Sequence, residues 1–254
     1  QKIKVAGKDE ISDMKHSINN LTQNLRNTRD FANEVGNGNF ESEVNVFENK
    51  GELGGSLIEM RKKLLQVSQE QEKQQREAEQ RIWINEGISK FSEILKQRDI
   101  DINEIAFQVI STLVKYLEAN QGGIYLKNEE ESEETVFDMV AAFAYNRRKF
   151  VNKQIWLNEG MVGTCAMEGE TMFMTDVPKE YIQITSGLGK ATPRCLILVP
   201  MKREEEVLGV IEIASFQKLE QYQVHFVERI AENVASTLYS TRMNQRTEAL
   251  LERT

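Results

Sequence analysis

KDEISDMKHSINNLTQNLRNTRDFANEV, residues 8–35, is the stretch whose spacing decides how the first part of this chain folds. Ile11, Met14, Ile18, Leu21, Leu25, Thr28, Ala32 and Val35 follow one another in alternating steps of 3 and 4 residues. That is a heptad seam, the mark of a helix that meets a partner along one narrow stripe. The chain breaks at Gly36-Asn37-Gly38-Asn39, and a second seam follows at Leu53, Leu57, Met60, Leu64 and Val67. Met14, Ile18, Leu21 and Leu25 fall on Leu53, Leu57, Met60 and Leu64 at a constant offset of 39, so the segment is an internal repeat. Alternation of Ile with Met and Leu in the first seam favours a two-stranded parallel pair. Toward Thr28 and Ala32 the layers become polar or small, which permits alternative packings.

Composition narrows the class. The chain has 254 residues, 40% hydrophobic and 28% charged, which suits a globular part joined to a charged helical part. A formal charge of −8 argues against a nucleic-acid surface. No run approaches the ~18 apolar residues of a spanning helix, no signal peptide is expected, and no basic amphipathic cluster suggests membrane-surface binding. Two cysteines, Cys165 and Cys195, are too few for a secreted disulfide framework and fit reduced thiols in the cytoplasm.

Beyond the seams, SQEQEKQQREAEQR (68–81) has one Ala as its only apolar residue, yet it lacks Gly and Pro. Such a stretch suits a helical bridge between domains. Apolar spacing returns at Ile84, Ile88, Phe91 and Leu95, so a helix from Leu53 to Leu95 would be a rod of roughly 60 Å; the alternative is a solvated flexible linker. Ile102, Ile105, Ala106, Val109, Ile110, Leu113, Val114 and Leu117 then form a helical face broad enough to pack on a sheet. GGIYLKN (122–128), TVFDMVAAFAY (135–145) and KQIWLN (153–158) read as strands, with residues 129–134 an acidic hairpin tip. EGMVGTCAMEGE (159–170) reads as a short helix between glycines, and TMFMTDV (171–177) as a strand. Residues 178–194 read as a loop, CLILVPMK (195–202) and VLGVIEIASF (207–216) as strands joined by a charged turn, and 220–254 as one long helix.

The N-terminal repeat carries a family resemblance. DEISDMKHSINNLTQNL (9–25) resembles the second helix of a HAMP domain, and RDFANEVGNGNFESEVNVFENKGELGGSLIEMRKKL (29–64) resembles a complete one. The resemblance implies a parallel four-helix bundle in a homodimer, with Gly36 heading the connector and Phe40 and Val44 as its buried anchors. The family's acidic residue before the second helix is Glu10 in the first copy. At the same offset the second copy has Glu48-Asn49-Lys50, and the acid-aliphatic pair arrives three residues later as Glu52-Leu53. The helix of the first copy runs into the second, as in concatenated HAMP arrays, and Gln1 is expected to be a fragment boundary.

The rest of the element order resembles a GAF domain, carried by NQGGIYL (120–126), the stretch 159–202 and VLGVIEIASF. The resemblance, to a version from multidomain bacterial sensor histidine kinases and receptors, implies a pocket between the sheet and the connection 159–194. Its candidate lining residues are Phe143, Tyr145, Cys165, Thr175, Tyr181, Ser186 and Arg194, with Phe143 and Cys165 alternatively plain core. TSGLG (185–189) can turn backbone N–H groups toward an anion, and Arg194 can pair with a carboxylate or phosphate, or form a structural salt bridge.

No catalytic constellation emerges. His16 and His225 read as solvated helix positions, and no CxxC, HxxxH, GxGxxG or GxxxxGK[ST] occurs, so neither a metal nor an evident cofactor is expected. The expected architecture is α+β: an all-α parallel dimeric HAMP bundle, a connecting helix, then a GAF domain with a central antiparallel sheet flanked by helices. The expected segments are 1–27 for a truncated first HAMP, 25–68 for the complete one, 69–86 for the linker, 87–239 for the GAF domain and 240–254 for an output coiled coil. The expected role is a non-catalytic signal relay. Its partners would be a second copy of itself, an upstream membrane or HAMP segment, and a downstream kinase or effector of the same parent chain, tethered on the cytoplasmic side of the inner membrane. Two alternatives are a stand-alone GAF dimer sensing an unknown small ligand and a GAF-type methionine sulfoxide reductase.

Overall fold

The computed structural model describes residues 10–40, 52–97, 100–128, 135–144, 146–149, 153–178, 184–186 and 189–251. They fall into two compact units, Gln1–Glu79 and Gln80–Thr254.

In the first unit, α1 runs Glu10–Gly36, with Glu10 and Asp13 placed favourably in its positive first turn. Its C-terminus is closed by Gly38 in the left-handed region (φ 79). The Asn39 N–H donates to Glu34 O at 2.9 Å and the Gly38 N–H to Val35 O at 3.1 Å, which satisfies two otherwise orphaned carbonyls. The left-handed turn therefore sits at Gly38, while Gly36 is the last helical residue. Phe40 is half-buried, and Val44 lies outside the described residues.

The two residues of α1 that are buried within one chain, Ser12 and Phe31, are not seam residues. Phe31 is 1% exposed, and the Arg61 guanidinium lies 5.9 Å from its ring centroid. Ile11, Met14, Ile18, Leu21 and Leu25 remain 42–65% exposed. Ala32 is also exposed, and Thr28 and Val35 are half-buried. Helix α2 runs Glu52–Leu95 without interruption. Its polar stretch carries i,i+4 pairs such as Gln74–Glu70 and Gln75–Glu79, which support an exposed helix modestly. On α2, Leu57 is half-buried, and Met60, Leu64 and Val67 are exposed.

The second unit is an antiparallel sheet with a different layer on each face. Asp101 caps α3 (Ile102–Tyr116), its side chain accepting from the Asn103 N–H at 3.0 Å. The strands are β1 (Gln121–Lys127), β2 (Val136–Ala144), β3 (Arg147–Lys149), β4 (Gln154–Trp156), β5 (Met172–Met174), β8 (Cys195–Arg203) and β9 (Glu206–Ser215). Their order is β3-β2-β1-β9-β8-β5, and β4 also pairs with β2. Between β4 and β5 lies α4 (Gly160–Glu168), ended by Gly169 in the left-handed region. The connection 178–194 contains a small hairpin, β6 (Ile184–Ser186) with β7 (Gly189–Ala191), where a plain loop was expected. Helix α5 runs Gln221–Leu251.

Side chains alternate across the sheet as the pleat requires. Ile124, Leu126, Ile197, Val199, Ile211 and Ile213 join α3, α5 and the end of α2 in one core. Tyr125, Phe137, Leu196, Leu198, Val210 and Ala214 face α4 in the other. Each large aliphatic side chain removed from water contributes about 1.5–3 kcal/mol, so the two layers lock the register of every central strand. Adjacent glycines serve opposite faces. A Cβ on Gly122 would lie 2.6 Å from Ile110 Cδ1 of α3, whereas one on Gly123 would meet Met139, Tyr125 and the Ala141 carbonyl oxygen, all at 3.4 Å or more.

Candidate functional site

The strand register assembles a small-residue floor on the α4 side of the sheet. Lys149 pairs with Ala142, Ala142 with Gly123, and Gly123 with Glu212. One residue row therefore runs Lys149, Ala142, Gly123, Glu212 across β3, β2, β1 and β9. Two positions along, Ala144, Gln121 and Ala214 form a parallel row. Glycine and alanine at these crossings leave a cavity of about 170 Å³. Tyr125, Met139, Lys149, Lys153 and Glu212 also line it.

Glu212 is the chemically distinctive member. It is 7% exposed in a strand whose neighbours are apolar, and it accepts a hydrogen bond from Tyr125 Oη at 3.2 Å. The Lys153 ammonium lies 6.0 Å from the centroid of the Tyr125 ring, within the range of a cation–π contact. A buried carboxylate is costly unless it is hydrogen-bonded, and a buried ionisable group in a cavity is a functional-site candidate. The signal for it was present in VLGVIEIASF, where Glu212 is the one charged residue, but a single acid in an apolar strand carries no spacing motif.

The residues expected to line a pocket are dispersed. Phe143 borders the cavity, but its ring centroid is 6.2 Å from that of Phe107, in the helix-side core. Cys165 is fully buried in the α4-side core, where its thiol donates to Glu170 O at 3.4 Å. Burial, then the nearby Glu168, pushes that thiol up to about 12, so it stays protonated near neutrality. Thr175 is exposed just after β5. Arg194 is exposed before β8, and its backbone N–H donates to Ser215 O at 2.9 Å. Ser186 ends β6; Tyr145 and Tyr181 lie outside the described residues.

Cys195 belongs to the helix-side core and Cys165 to the opposite one, so the sheet separates the two thiols. His16 and His225 are exposed, and His225 Nε2 lies 3.1 Å from Gln221 Nε2. Among the described residues no group of three His, Cys, Asp or Glu is placed to hold a metal, and no helix is long and apolar enough to cross a membrane.

A second, more polar depression of about 350 Å³ lies between the end of α4 and the β8–β9 turn. The Lys127–Glu206 ion pair, 2.8 Å between charged atoms, borders it. That pair is partly exposed, which makes it a weak contributor to stability.

Comparison with solved structures supports the fold. The GAF domain of the phosphoenolpyruvate-protein phosphotransferase from Coxiella burnetii is 14% identical with a TM-score of 0.53, covering 65% of this chain and 98% of that one. The corresponding domain from Acinetobacter is 14% identical with a TM-score of 0.51, covering 63% and 96%. The A. aeolicus nlh2 GAF domain, in an inactive state, is 18% identical with a TM-score of 0.51, covering 64% and 99%. No curated protein matches the chain. The family model for the GAF domain matches residues 99–238, from the start of α3 through the core-packing part of α5. The sheet that builds the cavity is thus the matched part, and this chain belongs to the GAF domain family.

Proposed function

We propose that this chain is a non-catalytic signal-relay segment in which HAMP-type helices form a parallel homodimer and bias a GAF sensor domain. The carrying observation is the stripe Ile11, Met14, Ile18, Leu21 and Leu25, which keeps heptad spacing and stays 42–65% exposed. A regular apolar stripe left uncovered by its own chain suits a second copy of the same helix. Helix α2 continues from the first unit into the second, and α5 would hand the change to a downstream effector, a histidine kinase in the reading favoured by the HAMP resemblance. The parent would be tethered at the cytoplasmic side of a membrane. Couplings of about 1–3 kcal/mol suffice for such relays, so the soft layer at Thr28 and Ala32 suits one. Oxidation of Ile18→Cys or Leu21→Cys should give efficient symmetric cross-links. Equal cross-linking of Asn20→Cys would refute the seam. Ala32→Leu should then alter cross-linking at exposed Ile82→Cys on α2.

The cavity supports a second reading, a self-contained small-molecule sensor. Ala142→Leu would fill the cavity floor and should abolish ligand-induced stabilisation while leaving the fold intact. A sulfoxide-reductase reading gains no support from two buried thiols on opposite faces of the sheet.

A further inference from the structure

We propose that the β8–β9 turn is a two-sided latch. Arg203 grips Tyr239 on α5 where that helix leaves the core, and Lys202, its neighbour on the same strand, rests on the end of α4. The latch rests on the reading of α5 as the output element and names the contact through which the sheet regulates that helix.

Three observations carry it. The first is the grip itself. The guanidinium carbon of Arg203 lies 3.5 Å from the centroid of the Tyr239 ring, a distance at which the planar cation stacks on the negative face of the ring. The second is the place on α5 where the grip falls. Val234, Ala235 and Leu238 are buried in the helix-side core, and Leu238 is the last α5 member of that core among the described residues. Tyr239 packs half-buried at its border and Ser240 is exposed, while the helix continues to Leu251. Arg203 therefore holds the boundary between the packed part of α5 and its extension.

The third observation is strand geometry. Successive side chains on a strand point to opposite faces. Met201 belongs to the helix-side core, so Arg203 faces α5 and Lys202 faces α4. A Cβ added to Gly169, the left-handed C-cap of α4, would lie 3.4 Å from Lys202 Cδ and 3.7 Å from Lys202 Nζ. The ammonium thus stands at the negative end of α4, where a cation is favoured. Arg203 pairs with Glu206, so only Glu204 and Glu205 close the hairpin, with Glu204 at φ 54. A turn this tight makes the two cations move as one body. Displacement of α4 reaches Tyr239 through adjacent residues of one strand. Arg203 is exposed, and an exposed cation–π contact is weak. It biases α5 between held and released states without locking either.

The test is residue-resolved hydrogen exchange on the full chain. Two stretches of α5 are compared, 236–243 around Tyr239 and 224–231 inside the core. Arg203→Ala should speed exchange in the first at least about threefold, the loss expected for an exposed cation–π contact, and leave the second unchanged. Arg203→Lys should give an intermediate rate, because it keeps the charge without the planar stack. Lys202→Ala should speed the same stretch in the parent and add nothing in the Arg203→Ala background, since an open latch cannot be opened again. Unchanged exchange at 236–243 in Arg203→Ala would overturn the latch. Faster exchange in both stretches, the mark of general loosening, would overturn it too. A silent Lys202→Ala, or effects of the two substitutions that simply multiply, would overturn the two-sided device. These variants leave the α1 seam untouched, so cross-linking of Ile18→Cys tests the relay reading separately. Exchange as expected without cross-links would keep the latch and remove the relay, and the reverse result would keep the relay and remove the latch.

Discussion

Tyr116 of α3 donates its phenolic hydrogen to the backbone carbonyl of Trp83 in α2, 2.6 Å away, and their rings stack at 4.6 Å. Trp83 also meets Tyr222 and Phe226 of α5 edge-on, at 5.2 and 4.9 Å. The last turns of α2 are thus clamped onto α3 and α5 by one aromatic cluster. Gly87, one turn beyond Trp83, makes this possible. A Cβ there would lie 2.5 Å from the Phe226 ring and 2.8 Å from that of Tyr116. Gly87→Ala should therefore destabilise the unit by about 1–3 kcal/mol through overpacking, read as a lower urea midpoint with red-shifted tryptophan emission.

The same tyrosine gives a pH dependence. Burial, then the neighbouring Glu86 carboxylate, pushes its phenol above the ordinary 10.0. The unfolded chain therefore releases this proton first as pH rises. The contribution is fully present below pH 10 and is lost as pH climbs through the higher folded value. Tyr116→Phe should lose about 1 kcal/mol at neutral pH for the missing hydrogen bond. It should also show a shallower fall in urea midpoint above pH 10 than the parent.

Cys165 behaves in the same direction. Its thiol is pushed up to about 12 from 9.0, so its contribution is present below pH 9 and disappears as pH rises toward 12. Near neutrality both cysteines, buried in opposite layers, should resist a thiol reagent in the folded protein and react fully in denaturant. Rapid labelling of Cys165 in the native state would contradict this packing.

Two glycines on the α4 side should respond oppositely to alanine. A Cβ at Gly163 would lie 2.4 Å from Trp156 O and 2.8 Å from Leu157 O, backbone atoms that cannot turn aside. Gly163→Ala should cost at least about 2 kcal/mol as α4 is forced off β4. At Gly123 the new atom would meet the flexible end of Met139 at 3.4 Å. Thermal unfolding of Gly123→Ala should stay close to the parent.

A charge in the exposed seam separates association from folding. Leu21, 61% exposed in one chain, should accept Asp with little effect on the unfolding of the second unit, while the dimer proposed above should dissociate to monomer in sedimentation. A dimer unaffected by Leu21→Asp would place the interface elsewhere.

Local patterns made much of this legible. The apolar face of α3, the glycine-bounded α4 and the paired strands β8 and β9 are each specified by period, capping or turn residues within one segment. The short strand β3 and the β6–β7 hairpin were not, because three-residue strands carry too few alternations to stand out. Phe31 escaped because it is a neighbour of the seam rather than a member, and its burial depends on a facing element. Candidate pocket residues chosen for their chemistry fared similarly: Phe143 turns its ring to α3, and Cys165 lies within the core.

The sequence by itself determined the order of the helices and longer strands, the heptad stripe and the GAF likeness, since periodicity and turn chemistry are local and survive without knowledge of neighbours. Only the tertiary structure decided which faces are covered and which side chains share a site. Lys149, Ala142, Gly123 and Glu212 are scattered over 90 residues and become one row through antiparallel register. Pairing between distant strands is a non-local choice made by two cores at once, and no single segment encodes it.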